Sequence, residues 1–255
     1  MPDKSLLEEV GKILQSESKL IQLPSYGRGV FVGDTHGDLN ASEKVIHDYL
    51  DKDTTVVFLG DYVDRGEKSR ENIDYLLEKK LENPKNLVLL MGNHDGYKIL
   101  KWYPQNFWRF LSEEERNSYA NVLAELPLAA SGNGIIALHG GLPDVNLEKI
   151  KEIEPGSEQW LRITGGDFKD IERDYMEISD SGRSEFGRKY FERIMKKLGK
   201  NVLIRSHQPD ARGIMYDNRC LTLFTSHEYF PKRTIAIADL GKEVKTVDDI
   251  NILEI

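Results

Sequence analysis

GVFVGDTHGD (residues 29–38), TTVVFLGDYVDRG (54–66) and LVLLMGNHD (87–95) share one plan: a short apolar, β-branched run that ends in glycine followed by aspartate or asparagine. Such runs, bounded by turn residues, read as buried strands. The segments between them, Ala41–Leu50 and Ser69–Leu81, carry helical patterning. Strands alternating with helices build βαβ units and a parallel sheet, whose functional side chains collect at the C-terminal strand ends. Glycine just before the acid fits that position, because a residue without a Cβ can turn sharply and approach a bound group closely.

Outward from this region, the first 27 residues read as one helix, with Leu6, Leu7, Val10, Ile13 and Leu14 at helical spacing, and an extended lead-in. The stretch Ile99–Leu126 is expected to be largely helical, with Trp102, Phe107 and Trp108 as core. LPLAASGNGIIALHGGL (126–142) reads as an antiparallel hairpin around Gly-Asn-Gly. Helices are expected at Asn146–Ile153 and Glu185–Leu198, and strands at Val202–Arg205, Cys220–Thr225, Thr234–Ala238 and Ile250–Glu254. The expected architecture is α/β: one domain, residues 1–255, with two packed mixed sheets and helices outside.

The chain has 255 residues, 39% of them hydrophobic and 31% charged. That supplies a sizeable core and excludes a disordered or fibrous chain. No run approaches the roughly 18–20 apolar residues of a membrane span, and the acidic, amphipathic start lacks a signal-peptide core. One cysteine, Cys220, cannot form a disulfide within the chain, which points to a reduced, cytoplasmic setting. The net charge of −8 argues against a nucleic-acid partner. An anionic substrate would need local positive charge, from metal ions and a few arginines.

The strand-end motifs, with HGG (139–141) and RSHQ (205–208), bring together Asp34, His36, Asp61, Asn93, His139 and His207. Four of the six histidines, His36, His94, His139 and His207, fall inside these motifs; His47 reads as a surface residue and His227 as a loop residue. Carboxylates and imidazoles suit divalent transition metals, and one carboxylate can bridge two ions. Six donors from five strand ends exceed the needs of one ion and suit a two-metal site.

GDxHG, GDxVDRG, GNH, HGG and RxHQ together resemble the phosphoprotein phosphatase (PPP) family, metal-dependent protein serine/threonine phosphatases within the calcineurin-like metallophosphoesterase superfamily. LPLAAS leading into HGGL and CLTLFTSHEY (220–229) extend the resemblance over nearly the whole chain. It implies that Asp34 and His36 hold a first metal, that Asp61 bridges, and that Asn93, His139 and His207 hold a second. It further implies in-line attack on phosphoserine or phosphothreonine esters of protein or peptide substrates by an ion-activated hydroxide. His94 would be the general acid, Asp64 would orient it, and Arg65, Asn93 and Tyr229 would contact the phosphate. Manganese is expected to support activity in vitro, with iron, zinc, cobalt or nickel as alternatives.

The chain departs from the family at Asp95, where animal enzymes carry glutamate; the shorter acid is expected mainly to alter local hydrogen bonding. The segment SDSGRSEFG (179–187) offers Arg183 as the second phosphate clamp in a displaced register, with Arg162 and Arg205 as alternatives. The absence of regulatory segments suggests a prokaryotic member. Two other functions stay open. One is a diadenosine tetraphosphate or nucleotide phosphoesterase using Trp102, Tyr103 and Trp160 as a base pocket; the other is an inactive phosphopeptide-binding module.

Overall fold

Alternation along the opening strands assigns each residue a side. Phe31, Val57 and Val88 point one way and join Ala130, Ala137, Ile204 and Leu221 in one apolar cluster. Val30, Val32, Val56, Phe58, Leu87 and Leu89 point the other way, into a cluster with Val10, Leu14, Val45, Ile73 and Leu77 from the helices. The first cluster is the seam between two sheets, and the second lies under the helices that cover them.

The computed structural model describes residues 4–178 and 182–255. Helix α1 (Lys4–Ser16) and strand β1 (Leu20–Gln22) precede β2 (Arg28–Val32), α2 (Leu39–Tyr49), β3 (Thr54–Phe58), α3 (Ser69–Glu82) and β4 (Leu87–Leu89). Then come α4 (Asn106–Phe110), α5 (Glu113–Leu123), β5 (Ala129–Gly132), β6 (Ile135–Leu138), a 3-10 turn (Leu147–Glu152) and α6 (Glu158–Gly165). The chain continues through β7 (Asp167–Phe168), β8 (Tyr175–Ile178), β9 (Ser184–Phe186), α7 (Arg188–Leu198), β10 (Val202–Arg205) and β11 (Ile214–Met215). Strands β12 (Cys220–Thr222), β13 (Thr234–Asp239) and β14 (Ile250–Glu254) complete it.

One sheet has the order β14-β13-β2-β3-β4, parallel through β2, β3 and β4; the other has the order β1-β5-β6-β10-β12-β11. This is the expected pair of mixed sheets with helices outside. The sheets meet at their ends through a parallel bridge between Asp34 and Phe224 and the bond from the Thr225 amide to the Asp34 carbonyl, 3.1 Å. A small third sheet, β7-β9-β8, was not anticipated.

Three expectations change. Ile99–Leu126 is helical only at α4 and α5: Pro104 disfavours helical backbone at the preceding residue, and Ser112 with Glu115 forms a capping box that starts α5 afresh. Trp102 is half-buried rather than core, whereas Phe107 and Trp108 are buried. The helix expected from Glu185 starts at Arg188, because Phe186 belongs to β9 and stacks on Tyr190 at 4.1 Å between ring centroids. Among the described residues no helix is long and apolar enough to cross a membrane.

A lysine lies inside this core. Lys80 of α3 is fully buried, and its ammonium donates to Glu17, to the Pro84 carbonyl at 3.0 Å and to the Leu87 carbonyl at 2.8 Å. It ties the end of α1 to α3 and to the start of β4, and burial lowers its pKa despite Glu17. Removing one partner of such a pair strands the other charge. Glu17→Ala is expected to lower unfolding stability by about 1–3 kcal/mol, and Glu17→Leu combined with Lys80→Met to restore most of it. Urea denaturation of the three proteins checks this.

Candidate active site

The strand-end turns are sharper than glycine alone accounts for. His36, Asp61, Asp64, Arg65 and His207 all hold positive φ, from 42° to 74°. Non-glycine residues seldom adopt this region, and where they do the surrounding structure must enforce it. Glycine gives the space: Gly60 has φ of 112°, and a Cβ on Gly92 would lie 2.2 Å from Asp61 Oδ1. The second and third motifs therefore pack backbone against carboxylate.

Within this frame the six expected donors converge. Asp61 Oδ2 lies 3.5 Å from His36 Nε2 and 3.4 Å from His139 Nε2, while its Oδ1 accepts from the His94 amide at 2.8 Å. Asp34 Oδ2 lies 3.7 Å from His36 Nε2. Asn93 Oδ1 is 3.2 Å and His207 Nδ1 3.1 Å from His139 Nε2. Two groups of ligand atoms come close enough to hold an ion, His36–Asp61–His94 and Asp61–His139–His207, and Asp61 belongs to both. Distance thus puts His94 in the first group, but its Nδ1 is already bonded to Asp64.

The chemistry of these donors fits divalent cations. His36 Nδ1 faces the Val63 carbonyl at 2.8 Å and His139 Nδ1 the Leu59 carbonyl at 3.0 Å. Those nitrogens therefore carry the hydrogens, and the Nε2 lone pairs turn inward. His139 Nε2 then faces Asp61 Oδ2, Asn93 Oδ1 and His207 Nδ1, a ring of electron-rich atoms that a proton or a metal ion would bridge. Asp34 Oδ2, Asn93 Nδ2 and His207 Nε2 are buried with no hydrogen-bond partner among the described residues. Burial pushes His36 down to about 3 and, with the His139 charge, pushes His207 well below its usual range, so both present lone pairs at neutral pH. Burial would lower His139 too, but Asp61 and Asp34 raise it to about 9. It holds a proton where a metal ion would compete.

Beside this cluster His94 Nδ1 bonds Asp64 Oδ2 at 2.8 Å, and Asp64 Oδ1 accepts from the Phe107 amide at 2.9 Å. Burial opposes the charge on His94, yet Asp61 and Asp64 raise its pKa above the ordinary value. The Arg65 guanidinium lies 5.0 Å over the Tyr229 ring, and Tyr229 Oη is 3.1 Å from His36 Nε2. Of the three clamp candidates, Arg162 is bound to Tyr190 and Glu158. Arg205 is fully buried and donates to the Gly140 and Gly166 carbonyls and to Gln208. Arg183 lies near enough to act on the site: its charge, like that of Arg205, depresses His207, and it opposes the burial-driven rise at Tyr229. Residues 179–181 of its segment lie outside the described residues. His47 is exposed, as expected, and His227 lies exposed in a loop.

The sequence underrated Asp95. Its carboxylate accepts from the amides of Asp61 at 2.7 Å, Gly92 at 2.9 Å and Tyr62 at 3.1 Å. It fastens the second motif to the third, well beyond a local adjustment. Burial and the nearby Asp61 raise its pKa to about 7. Ser206, Thr225 and Asn72 also went unnoticed. The first two accept from the Asp34 and Gly33 amides, and Asn72 donates to Thr35 and the Tyr62 carbonyl. No motif marks these residues, because their partners lie outside their own segments of the sequence.

The structure thus joins an α/β fold of two mixed sheets to a histidine- and carboxylate-rich cluster at the strand ends. The sequence model of calcineurin-like phosphoesterases matches residues 28–211, and the chain belongs to that family. It is 29% identical over 244 residues to a probable serine/threonine-protein phosphatase of Encephalitozoon cuniculi, over 89% of this chain and 52% of that protein. It is 28% identical over 249 residues to the serine/threonine-protein phosphatase 4 catalytic subunit of Saccharomyces cerevisiae, over 86% of this chain and 74% of that one. The chain thus spans about half the length of the first of these relatives. A solved Saccharomyces cerevisiae structure, described as a protein serine/threonine phosphatase similar to human phosphatase PP5, shares the fold. It has a TM-score of 0.83 at 21% identity, over 98% of this chain and 88% of that one.

Asp95→Asn would keep one acceptor and turn an amide NH2 toward backbone N–H groups. The expected outcome is a loss of about 1–3 kcal/mol of stability together with weaker metal uptake, since Asp61 loses its anchor. Thermal unfolding and metal analysis of the purified variant check it.

Proposed function

We propose that the chain is a protein serine/threonine phosphatase of the PPP type, folded as one catalytic domain over residues 1–255. The carrying observation is that Asp61 is shared by two ligand groups directly beside a hydrogen-bonded His94–Asp64 pair. Asp34, His36, Asp61, Asn93, His139 and His207 would hold two divalent ions, with Asp61 common to both. When bound, such ions neutralise phosphate charge and acidify water.

The remaining steps belong to the chain's own side chains. Arg65 binds phosphate oxygens; its guanidinium is braced on Tyr229, and its Nε is buried with no hydrogen-bond partner among the described residues. Arg183 offers a second positive charge from a separate segment. Asp64 holds the His94 Nδ1 hydrogen, so Nε2 is the atom that delivers a proton to the departing serine or threonine oxygen as the P–O bond breaks. Asn93 and Tyr229 supply further polar contacts at the rim.

Of the three aromatic residues expected for a base pocket, Trp160 is buried in the core, while Trp102 and Tyr103 line one open pocket with Arg183. The relatives named above as serine/threonine phosphatases favour this reading over a dinucleotide hydrolase. Manganese is our choice of activating ion. A cytoplasmic setting is our reading from the single buried cysteine, Cys220.

The test is turnover by metal-stripped protein resupplied with Mn²⁺ on a phosphothreonine peptide, p-nitrophenyl phosphate and diadenosine tetraphosphate. Preference for the peptide is expected, and preference for the dinucleotide would overturn the assignment. Asp61→Ala is expected to abolish activity and impair both metal sites, which metal analysis would show. His94→Ala is expected to keep its ions and to lower kcat for alkyl phosphates by about 10²–10⁴-fold. The loss should be smaller for p-nitrophenyl phosphate, whose leaving group needs less protonation; equal losses would remove His94 from the acid role.

A further inference from the structure

Two of the site's orphaned polar atoms face each other. His207 Nε2 and Asp167 Oδ1 are both buried, neither has a hydrogen-bond partner among the described residues, and they lie 3.5 Å apart. Asp167 is not part of any motif that marks the site in the sequence. It lies on β7 in the small sheet, and it is only 7% exposed.

His207 is also turned around relative to its neighbours. His36 and His139 give Nδ1 to backbone carbonyls and keep Nε2 for the site. His207 brings Nδ1 to the site, 3.1 Å from His139 Nε2, and sends Nε2 outward to Asp167. A neutral imidazole carries one hydrogen, and the group opposite one nitrogen decides which nitrogen keeps the lone pair. A carbonyl sets this for His36 and His139, and a carboxylate is in place to set it for His207.

The segment bearing Asp167 is held with unusual thoroughness. Gln208 pairs with both backbone groups of Phe168, accepting from its amide at 2.9 Å and donating to its carbonyl at 3.1 Å. Arg205 donates to the Gly166 carbonyl at 3.2 Å and to Gln208 at 3.0 Å, and it lies 5.4 Å over the Phe168 ring. Arg205 and Gln208 flank His207 in sequence, so RSHQ fixes both the histidine and the strand that carries its carboxylate. Asp167 Oδ2 also reaches to 3.9 Å from Arg183 Nη1.

We propose that Asp167 is a positioning residue that fixes the tautomer and ring orientation of His207, so that Nδ1 faces the metal centre. The proposal rests on the two-metal reading above. Outer carboxylates of this kind are worth about 10–100-fold in metal affinity when removed.

The test is Co²⁺ titration of metal-stripped wild-type protein, Asp167→Ala and Asp167→Asn, read by the visible absorption of bound cobalt and by calorimetry, with thermal unfolding to confirm each is folded. Wild type is expected to take up two ions. Asp167→Ala is expected to keep one site and to bind at the other about 10–100-fold more weakly. Asp167→Asn, whose side-chain oxygen still accepts from Nε2–H, is expected to recover most of that loss, which a purely electrostatic effect would not allow. If Asp167→Ala unfolds, the Asn variant and its cobalt spectrum carry the comparison: an Asn variant as weak as a His207→Ala protein overturns the proposal. Two ions bound by Asp167→Ala within threefold of wild type would overturn this proposal alone. Wild-type protein that binds fewer than two ions would overturn the two-metal reading and this proposal with it.

Discussion

Everything at the strand ends depends on the conformation of one residue, Asp61. Its backbone is left-handed, its amide is bonded to Asp95, one carboxylate oxygen takes the His94 amide and the other is aimed between His36 and His139. A left-handed aspartate is unfavourable in isolation and persists only where neighbours over-determine it. Here those neighbours come from the third motif, which reaches the second only because Gly60 and Gly92 let the two backbones touch. The same contacts place the His94 ring beside the cluster. The cluster of donors and the His94–Asp64 pair are thus set by a single turn-on-turn packing.

The second sheet serves the site as much as the first. The opening βαβ region supplies Asp34, His36, Asp61 and Asn93, but none of these could surround an ion from one side. The hairpin β5–β6 ends at His139 and β10 ends at His207, and the seam of small and branched residues between the sheets brings these ends level. Ser206 and Thr225 then bond the backbone of the first sheet, at Asp34 and Gly33, from the second. Sheet packing and ligand geometry are therefore one constraint, since sliding one sheet would separate the ligands.

Much of this was legible in the sequence because strands that end in functional residues write both facts locally. Val30–Val32 followed by Gly33-Asp34 shows a buried strand and a donor within six residues, and the same holds at 54–61 and 87–93. What stayed hidden has no local mark. Asp95 looks like one more acid after GNH, and its weight comes from three amides spread over Asp61, Tyr62 and Gly92. Asp167 lies in Gly-Gly-Asp-Phe, which reads as a turn, because a two-residue strand shows no periodicity. Trp102 has the composition of a core residue, but Pro104 broke the helix that would have buried it.

The charge arrangement gives the last link. The chain carries a net charge of −8, and its strand-end cluster is itself built on buried carboxylates. Two features reverse the local sign. The imidazoles are kept neutral by burial at His36 and His207, so cations rather than protons are the natural occupants. Arg65 and Arg183, both partly exposed, then add positive charge from separate segments, while the fully buried Arg205 is bound to the Gly140 and Gly166 carbonyls and to Gln208. Arg205 therefore acts on the architecture and not on the substrate, and its proximity to His207 in sequence reflects that role. An arginine two residues from His207 invites a catalytic reading, and its hydrogen bonds, to the Gly140 and Gly166 carbonyls and to Gln208, decide against it.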